Sequence, residues 1–286
     1  MKSPLLSLLL ASALAATAQQ TAVVVATYAP PKESTILAST FVDWDSLIAK
    51  PTAAGQARQV FDNPTRTLDK LEVHVSTLNP GMESHPVHRH PWEEIILVKE
   101  GDFEVSINGV KHHAGPGAMI FFAANDPHNA KNVGTTPATY YVINFVTDLS
   151  HDVDAKSAAE RAVPGKLASS VIDTNAIAQT PTPTGSRAVV VSSPTLTFLT
   201  LESHITTLNA GQSSAPDMID HNDEFVLIRS GDVEVNVNGV FSRMAAGSVL
   251  FWAADDKRSL RNLGVTPASY QVIRVTTAKS PKPPAN

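Results

Sequence analysis

His88, His90, Glu94 and His128 are the residues of this 286-residue chain whose types and spacing best suit chemistry. Three neutral imidazoles and one carboxylate match the preferences of a divalent first-row metal. Four donor atoms leave two positions open on a six-coordinate ion for water, substrate or dioxygen, the mark of a reactive rather than a sealed site. The chain has no cysteine. Disulfides and thiol catalysis are thereby excluded, and histidine and carboxylate are left as the ligands. The expected cofactor is one divalent transition metal: Fe, Mn, Co, Ni, Cu or Zn. Availability, not sequence, decides among them.

The chain around these residues must place them together. Positions 88, 90 and 94 are separated by even numbers, and even separations in extended chain project to one face of a sheet. His88 and His90 should then stand side by side. Pro91 bends the path, and Glu94 returns to that face ahead of the apolar run Ile95-Ile96-Leu97-Val98. His128 is expected from another strand, facing the first across a barrel interior. Residues 71–78 alternate as a half-buried strand does. Residues 102–107, followed by Asn108-Gly109 and Val110, carry a hairpin signal. Residues 119–123 and 139–146 read as further strands, and residues 152–162 as a short helix.

The segments 81–101 and 117–132 resemble the two cupin motifs. Gly81, His88, His90, Glu94 and Gly101 answer to the first, with one extra residue between Gly81 and His88. Gly117, His128 and Asn132 answer to the second. Ala123 and Asn125 stand where that family has a proline and a glycine. Asn tolerates the left-handed backbone a turn there requires. The resemblance implies a small β-barrel and a metal held by His88, His90, Glu94 and His128.

Residues 41–148 align without a gap onto 171–278 at a constant offset of 130, with about 40 of 108 positions identical. A period this long is a duplicated domain rather than a solenoid unit. The fold class that follows is all-β: two tandem cupin barrels of the jelly-roll type. The second copy has lost the ligand set. His88 answers to Met218, His90 to Asp220 and His128 to Arg258; Glu94 keeps Glu224. A guanidinium cannot ligate a metal. Arg258 is expected near the vacated position, paired with Glu224 or Asp220, because a buried charge needs a partner. The second barrel reads as metal-free.

The domain boundaries follow. Residues 1–18 read as a signal peptide: a positive start, an apolar stretch too short to span a bilayer, and cleavage after Ala18. Residues 19–40 lead in, with an edge strand expected at 21–27. Residues 41–148 form the metal-binding barrel, 149–170 a linker, 171–278 the second barrel and 279–286 a proline-rich tail. The expected location is secreted or periplasmic. The mature chain of about 265 residues suffices for two cores. The mildly negative charge and absence of basic runs argue against a nucleic-acid partner. No membrane association is expected after cleavage, and a homodimer is compatible with the sequence.

Among other residues, His85 is a candidate spare ligand or support for His88, and Asn132 shares the parity of His128 and is a candidate for the pocket. His74 has a counterpart in His204, in the copy without the metal set, which points to a structural role for both. His112 and His113 are expected to be exposed. Glu93 should point away from the ligands. Met119, Phe121, Phe122, Tyr140 and Tyr141 are candidates for the pocket wall.

The fold does not choose a reaction. A site with two open positions binds a bidentate oxygen ligand and passes electrons to dioxygen or polarises the substrate. A small-molecule substrate and a dioxygenase or oxidase reaction are the leading expectation. It rests on the resemblance to quercetin dioxygenase-like bicupins, which carry metal in the first barrel. The alternatives are a metal-dependent isomerase or hydrolase of sugars or ureides, and a binding protein without turnover.

Overall fold

The structure, a computed structural model, describes residues 23–215 and 218–282. The expected signal segment lies outside the described residues. Strands dominate, and the described residues hold one short α-helix, Ala158–Arg161, closed by a Ser157–Glu160 capping box.

Each copy of the repeat builds two sheets around its own core. In the first, a five-stranded sheet runs Val24–Val25, His88–Arg89, His128–Asn132, Phe103–Ile107 and Val110–Ala114. The facing sheet centres on Ala118–Phe122, Glu93–Glu100, Ala138–Val146, Lys70–Leu78 and Gly55–Asn63. Lys70–Leu78 explains how. Leu71, Val73 and Val75 are buried and the residues between them are only partly covered, the period-two pattern of a pleated sheet. The hairpin turns at Asn108-Gly109, with φ of 50° and 79°, as a type I′ turn demands. The second copy repeats the plan with a four-stranded sheet, Met218–Ile219, Lys257–Asn262, Val233–Val237 and Val240–Met244.

The two copies exchange their leading strands. Ser170–Asp173 pairs with Ala118–Phe122 and so joins the first copy's large sheet. Thr40–Val42 pairs with Val249–Trp252 and joins the second's. The repeat boundaries therefore differ from the boundaries of the barrels in space. The two large sheets also bury their outer faces against each other. Ile95, Leu97, Met119, Phe121, Tyr141 and Phe145 share one core with Phe225, Leu227, Phe251 and Ile273. The opposite faces of the same strands, among them Ile96, Val98, Ile120 and Phe122, fill the first barrel. Continuous apolar runs such as Ile95 to Val98 are the result, since both faces are buried.

A pair of carboxylates fastens this interface. Glu93 is fully buried and points away from the ligands, as expected, into the second copy. It accepts hydrogen bonds from Thr195 Oγ1 (2.5 Å), Thr197 Oγ1 (2.9 Å) and the Leu196 amide (2.9 Å). Its repeat counterpart Asp223 accepts from Thr65 Oγ1 (2.5 Å) and Thr67 Oγ1 (2.6 Å) of the first copy. Burial pushes the Glu93 carboxyl up to about 7 against the pull of those donors.

Candidate metal centre

The candidate ligands come from both sheets of the first barrel. His88 and His128 are direct antiparallel partners in the small sheet. His128 therefore stands beside His88, not across the barrel as its separate motif suggested. The chain leaves the small sheet after Arg89, turns through Pro91 and enters the large sheet at Glu93. Glu94 thus meets the histidines from the opposite sheet, and the even spacing of 88, 90 and 94 does not reflect one continuous strand. The turn before His128 is fastened to the first motif: the Asn125 amide donates to the His90 carbonyl (2.7 Å), and Asn125 takes a φ of 64°.

Ligand nitrogens of His88, His90 and His128 lie within 4.8 Å of one another. Each ring is oriented by a backbone carbonyl. His88 Nδ1 donates to the His128 carbonyl (3.2 Å), His90 Nδ1 to Trp92 (2.9 Å) and His128 Nδ1 to Asp126 (2.7 Å). A carbonyl only accepts, so Nδ1 carries the proton and Nε2 presents a lone pair in each neutral ring. His90 stacks on Trp92 with ring centroids 4.3 Å apart, and His128 on Phe122 at 4.0 Å. Oriented imidazoles of this kind are the usual support of a metal.

Electrostatics point the same way. Burial pushes the His128 imidazole down to about 3, with His90 and His88 adding to the shift and Glu94 opposing it. Burial, then His85 and His90, push His88 down to about 4. Burial would raise Glu94; positive charge on the surrounding imidazoles, His90 first, outweighs it and holds the carboxyl at about 2, a role that a bound cation takes where the rings are neutral. The His88 and His128 imidazoles are thus neutral, and Glu94 ionised, at neutral pH. Glu94 Oε2 lies 3.2 Å from His90 Nε2 and 3.9 Å from His128 Nε2, and His128 Nε2 is buried without a hydrogen-bond partner. Lone pairs facing lone pairs repel unless a cation lies among them. Separations of this size suit donors about 2.1 Å from one shared ion. The residues fit a divalent metal.

The site opens into a cavity of about 620 Å³. Phe122, Ile96, Leu78, Val142 and Tyr140 form apolar wall, with Asn144 and His74 among the polar groups. Of the five wall candidates, Phe122 and Tyr140 line the cavity, whereas Met119, Phe121 and Tyr141 belong to the core between the barrels. His85 is exposed, lines the cavity mouth and packs on His88 with ring centroids 3.8 Å apart. Asn132 does not line it. Its amide donates to the Leu78 and Thr136 carbonyls and fixes a turn, as Asn262 does in the second copy.

Sequence reasoning missed His74, which lines the cavity rather than serving the fold alone. Its Nδ1 is held by both oxygens of Glu72, at 2.9 and 3.0 Å. Asn144 links the pair to the site: it donates to Glu72 Oε2 (2.8 Å) and accepts from Trp92 Nε1 (2.9 Å). Burial lowers the His74 imidazole, but Glu72 and Glu94 outweigh it and raise it above the ordinary value. The signal lay in the repeat. Residue 144 is Asn in the first copy and Arg274 in the second, so Glu72 meets an amide beside the candidate ligands whereas its counterpart Glu202 meets a guanidinium.

Comparison with known proteins agrees with this architecture. Residues 74–144 match the sequence model of the Cupin domain. Oxalate decarboxylase OxdC from Bacillus subtilis superposes with a TM-score of 0.63 at 14% identity, over 87% of this chain and 80% of that one. AerE from Microcystis aeruginosa gives 0.60 at 14% identity, over 80% and 97%. Ylba from E. coli gives 0.63 at 10% identity, over 85% and 93%. Identities this low establish the fold alone: two tandem cupin barrels from an internal duplication. A curated relative, the HTH-type transcriptional activator RhaS of Mannheimia succiniciproducens, is 33% identical over 51 residues. That match spans 18% of this chain and 19% of the relative.

Proposed function

We propose that the first barrel holds one divalent transition metal on His88, His90, Glu94 and His128 and acts on a small, oxygen-rich molecule. Dioxygen-dependent oxidation is the leading reading. The observation that carries the metal is the convergence of oriented Nε2 lone pairs and an ionised carboxylate on one point. A bound ion would supply Lewis acidity and, where redox-active, a route for electrons to dioxygen. The cavity supports a substrate with an apolar body. It is far larger than a two-carbon acid needs, and Phe122, Ile96 and Val142 exclude water from one side. Asn144 and Trp92 hold Glu72 and the ligand His90 in fixed relation.

A second reading is favoured by His74. An imidazole pinned at Nδ1 by Glu72, on the wall of the same cavity, is equipped to give or take a proton at Nε2. Isomerisation or hydrolysis with a redox-inert ion would use that group. Export from the cytoplasm, directed by residues 1–18, is part of the proposal.

Elemental mass spectrometry of the purified chain, beside His128→Ala, is the first test. About one ion per chain, lost in the variant, is the expected result. Oxygen uptake with phenolic and enediol substrates, after reconstitution with Fe, Mn, Co, Ni, Cu or Zn, then separates the readings. Turnover that needs oxygen and a redox-active ion supports the first. Anaerobic turnover with zinc, abolished by His74→Ala, supports the second. No metal after reconstitution overturns both.

A further inference from the structure

The second barrel inverts the polarity of the first. Its interior keeps a cavity of about 50 Å³ at the place corresponding to the metal centre, lined in part by Arg187, Arg258, Arg274, Glu224 and Trp252. The three arginines stand where the first copy has Ala57, His128 and Asn144, all of which line the larger cavity. Three lining positions have thus become cationic in one copy. Glu224 is the one carboxylate among the lining residues.

Arg258 decides what the cavity can take. Its side chain is 1% exposed. Its Nη2 lies 2.8 Å from Glu224 Oε2 and 3.8 Å from Asp220 Oδ2, ionic contacts that do not meet hydrogen-bond geometry. Among the described residues, Nε, Nη1 and Nη2 of Arg258 are all buried without a hydrogen-bond acceptor, and Trp252 Nε1 is in the same state. Glu224 is meanwhile shared with Arg274, whose Nε donates to it at 2.7 Å. The outer faces of Arg274 are taken by Asp220 (3.0 Å) and Glu202 (3.0 Å). His204 adds no acidic group. Burial, Arg187 and Arg274 keep its imidazole neutral, at about 3.

At the metal centre the orphaned atom, His128 Nε2, is an acceptor; the orphans of this second cavity are all donors. A buried donor without an acceptor is costly, and a guanidinium most of all. We propose that the second barrel is an anion site for a small monocarboxylate of one or two carbons, held by Arg258 and Arg187 with Trp252 Nε1 as a further donor. A planar carboxylate matches the guanidinium fork. The space, about 50 Å³, is a small fraction of the first barrel's cavity of about 620 Å³, and it suits an acid of one or two carbons. The apolar side of Val272 and Met218 suits the hydrogen or methyl end. The site does not depend on the metal reading of the first barrel.

Calorimetric titration of the full chain with formate, acetate and phosphate tests this, in wild type and in His128→Ala. The expected result is saturable formate or acetate binding, about one per chain, equal in both proteins. Arg258→Met and Arg187→Ala should each weaken it by about tenfold or more. Arg187 is exposed at the cavity rim, so its variant keeps the test open if Arg258→Met fails to fold. Absence of saturable binding would mean that water satisfies Arg258, and would overturn the proposal. Binding lost in His128→Ala would place the carboxylate on the first barrel instead and would overturn it equally. Phosphate bound in preference would overturn the ligand class.

Discussion

At the scale of single residues, the distinction between the barrels is one of proton inventory. His88, His90 and His128 each spend their one ring proton on a backbone carbonyl, which leaves only acceptors facing inward. That arrangement has a pH consequence in the metal-free chain. His128 and His88 are held at about 3 and about 4 in the folded state, against 6.5 for an ordinary histidine. The unfolded chain therefore binds protons first as pH falls. Stability is full above about pH 6.5 and is lost as pH drops toward 4 and 3. For His128 the loss is on the order of 3 kcal/mol between pH 6.5 and 4. Urea unfolding at stepped pH should show a steep acid slope in the metal-free wild type and a shallower one in His128→Ala. Equal slopes would contradict the assignment of these depressed histidines.

At the scale of strands and turns, the Glu93 contacts make a prediction of opposite pH sign. Glu93 is raised to about 7 from 4.5. Its contribution is full below about pH 4.5 and is lost as pH rises through 7. Glu93→Ala strands the hydroxyls of Thr195 and Thr197 and should cost about 3 kcal/mol. Glu93→Gln, neutral throughout, should flatten the alkaline limb of the stability profile. Thermal unfolding between pH 5 and 8 reads both. Much at this scale was legible in the sequence. The alternation of residues 71–78, the Asn108-Gly109 turn and the clustering of His88, His90 and His128 rest on local signals, each carried by a few neighbouring side chains. Partnership was not. The segment 40–42 has the same short apolar character whichever sheet receives it, so nothing in it reveals that its partner is 249–252. The parity argument for His88 and Glu94 failed for a related reason: Pro91 carries the chain from one sheet to the other, and parity holds only within a strand. The Pro64-Thr-x-Thr67 motif, repeated at 194–197 and matched by acids at 93 and 223, was the one signal from which the interface could have been read.

At the scale of the whole molecule, the shared core and the exchanged strands make one cooperative unit of two copies. A chain ended at residue 165 lacks the strand Ser170–Asp173 and leaves Met119, Phe121 and Tyr141 facing water. It should be insoluble or loosely packed, as near-ultraviolet circular dichroism would show. Co-expression with the remaining half should recover it. A well-folded first half alone would contradict the dependence. The same arrangement covers, within one chain, the outer face of each large sheet, a surface that would otherwise invite a second molecule. Sedimentation should accordingly report a monomer.

The exchange of leading strands also sets a timetable. During synthesis the first barrel's large sheet stays open until residues 170–173 have left the ribosome, and residues 40–42 wait without their partner until 249–252 follow. At about 5–20 residues per second, the segment 40–42 spends on the order of ten seconds or more as an unclaimed edge. The segment 40–42, made early, is thus among the last to settle, and it is the stretch most in need of protection during synthesis or refolding.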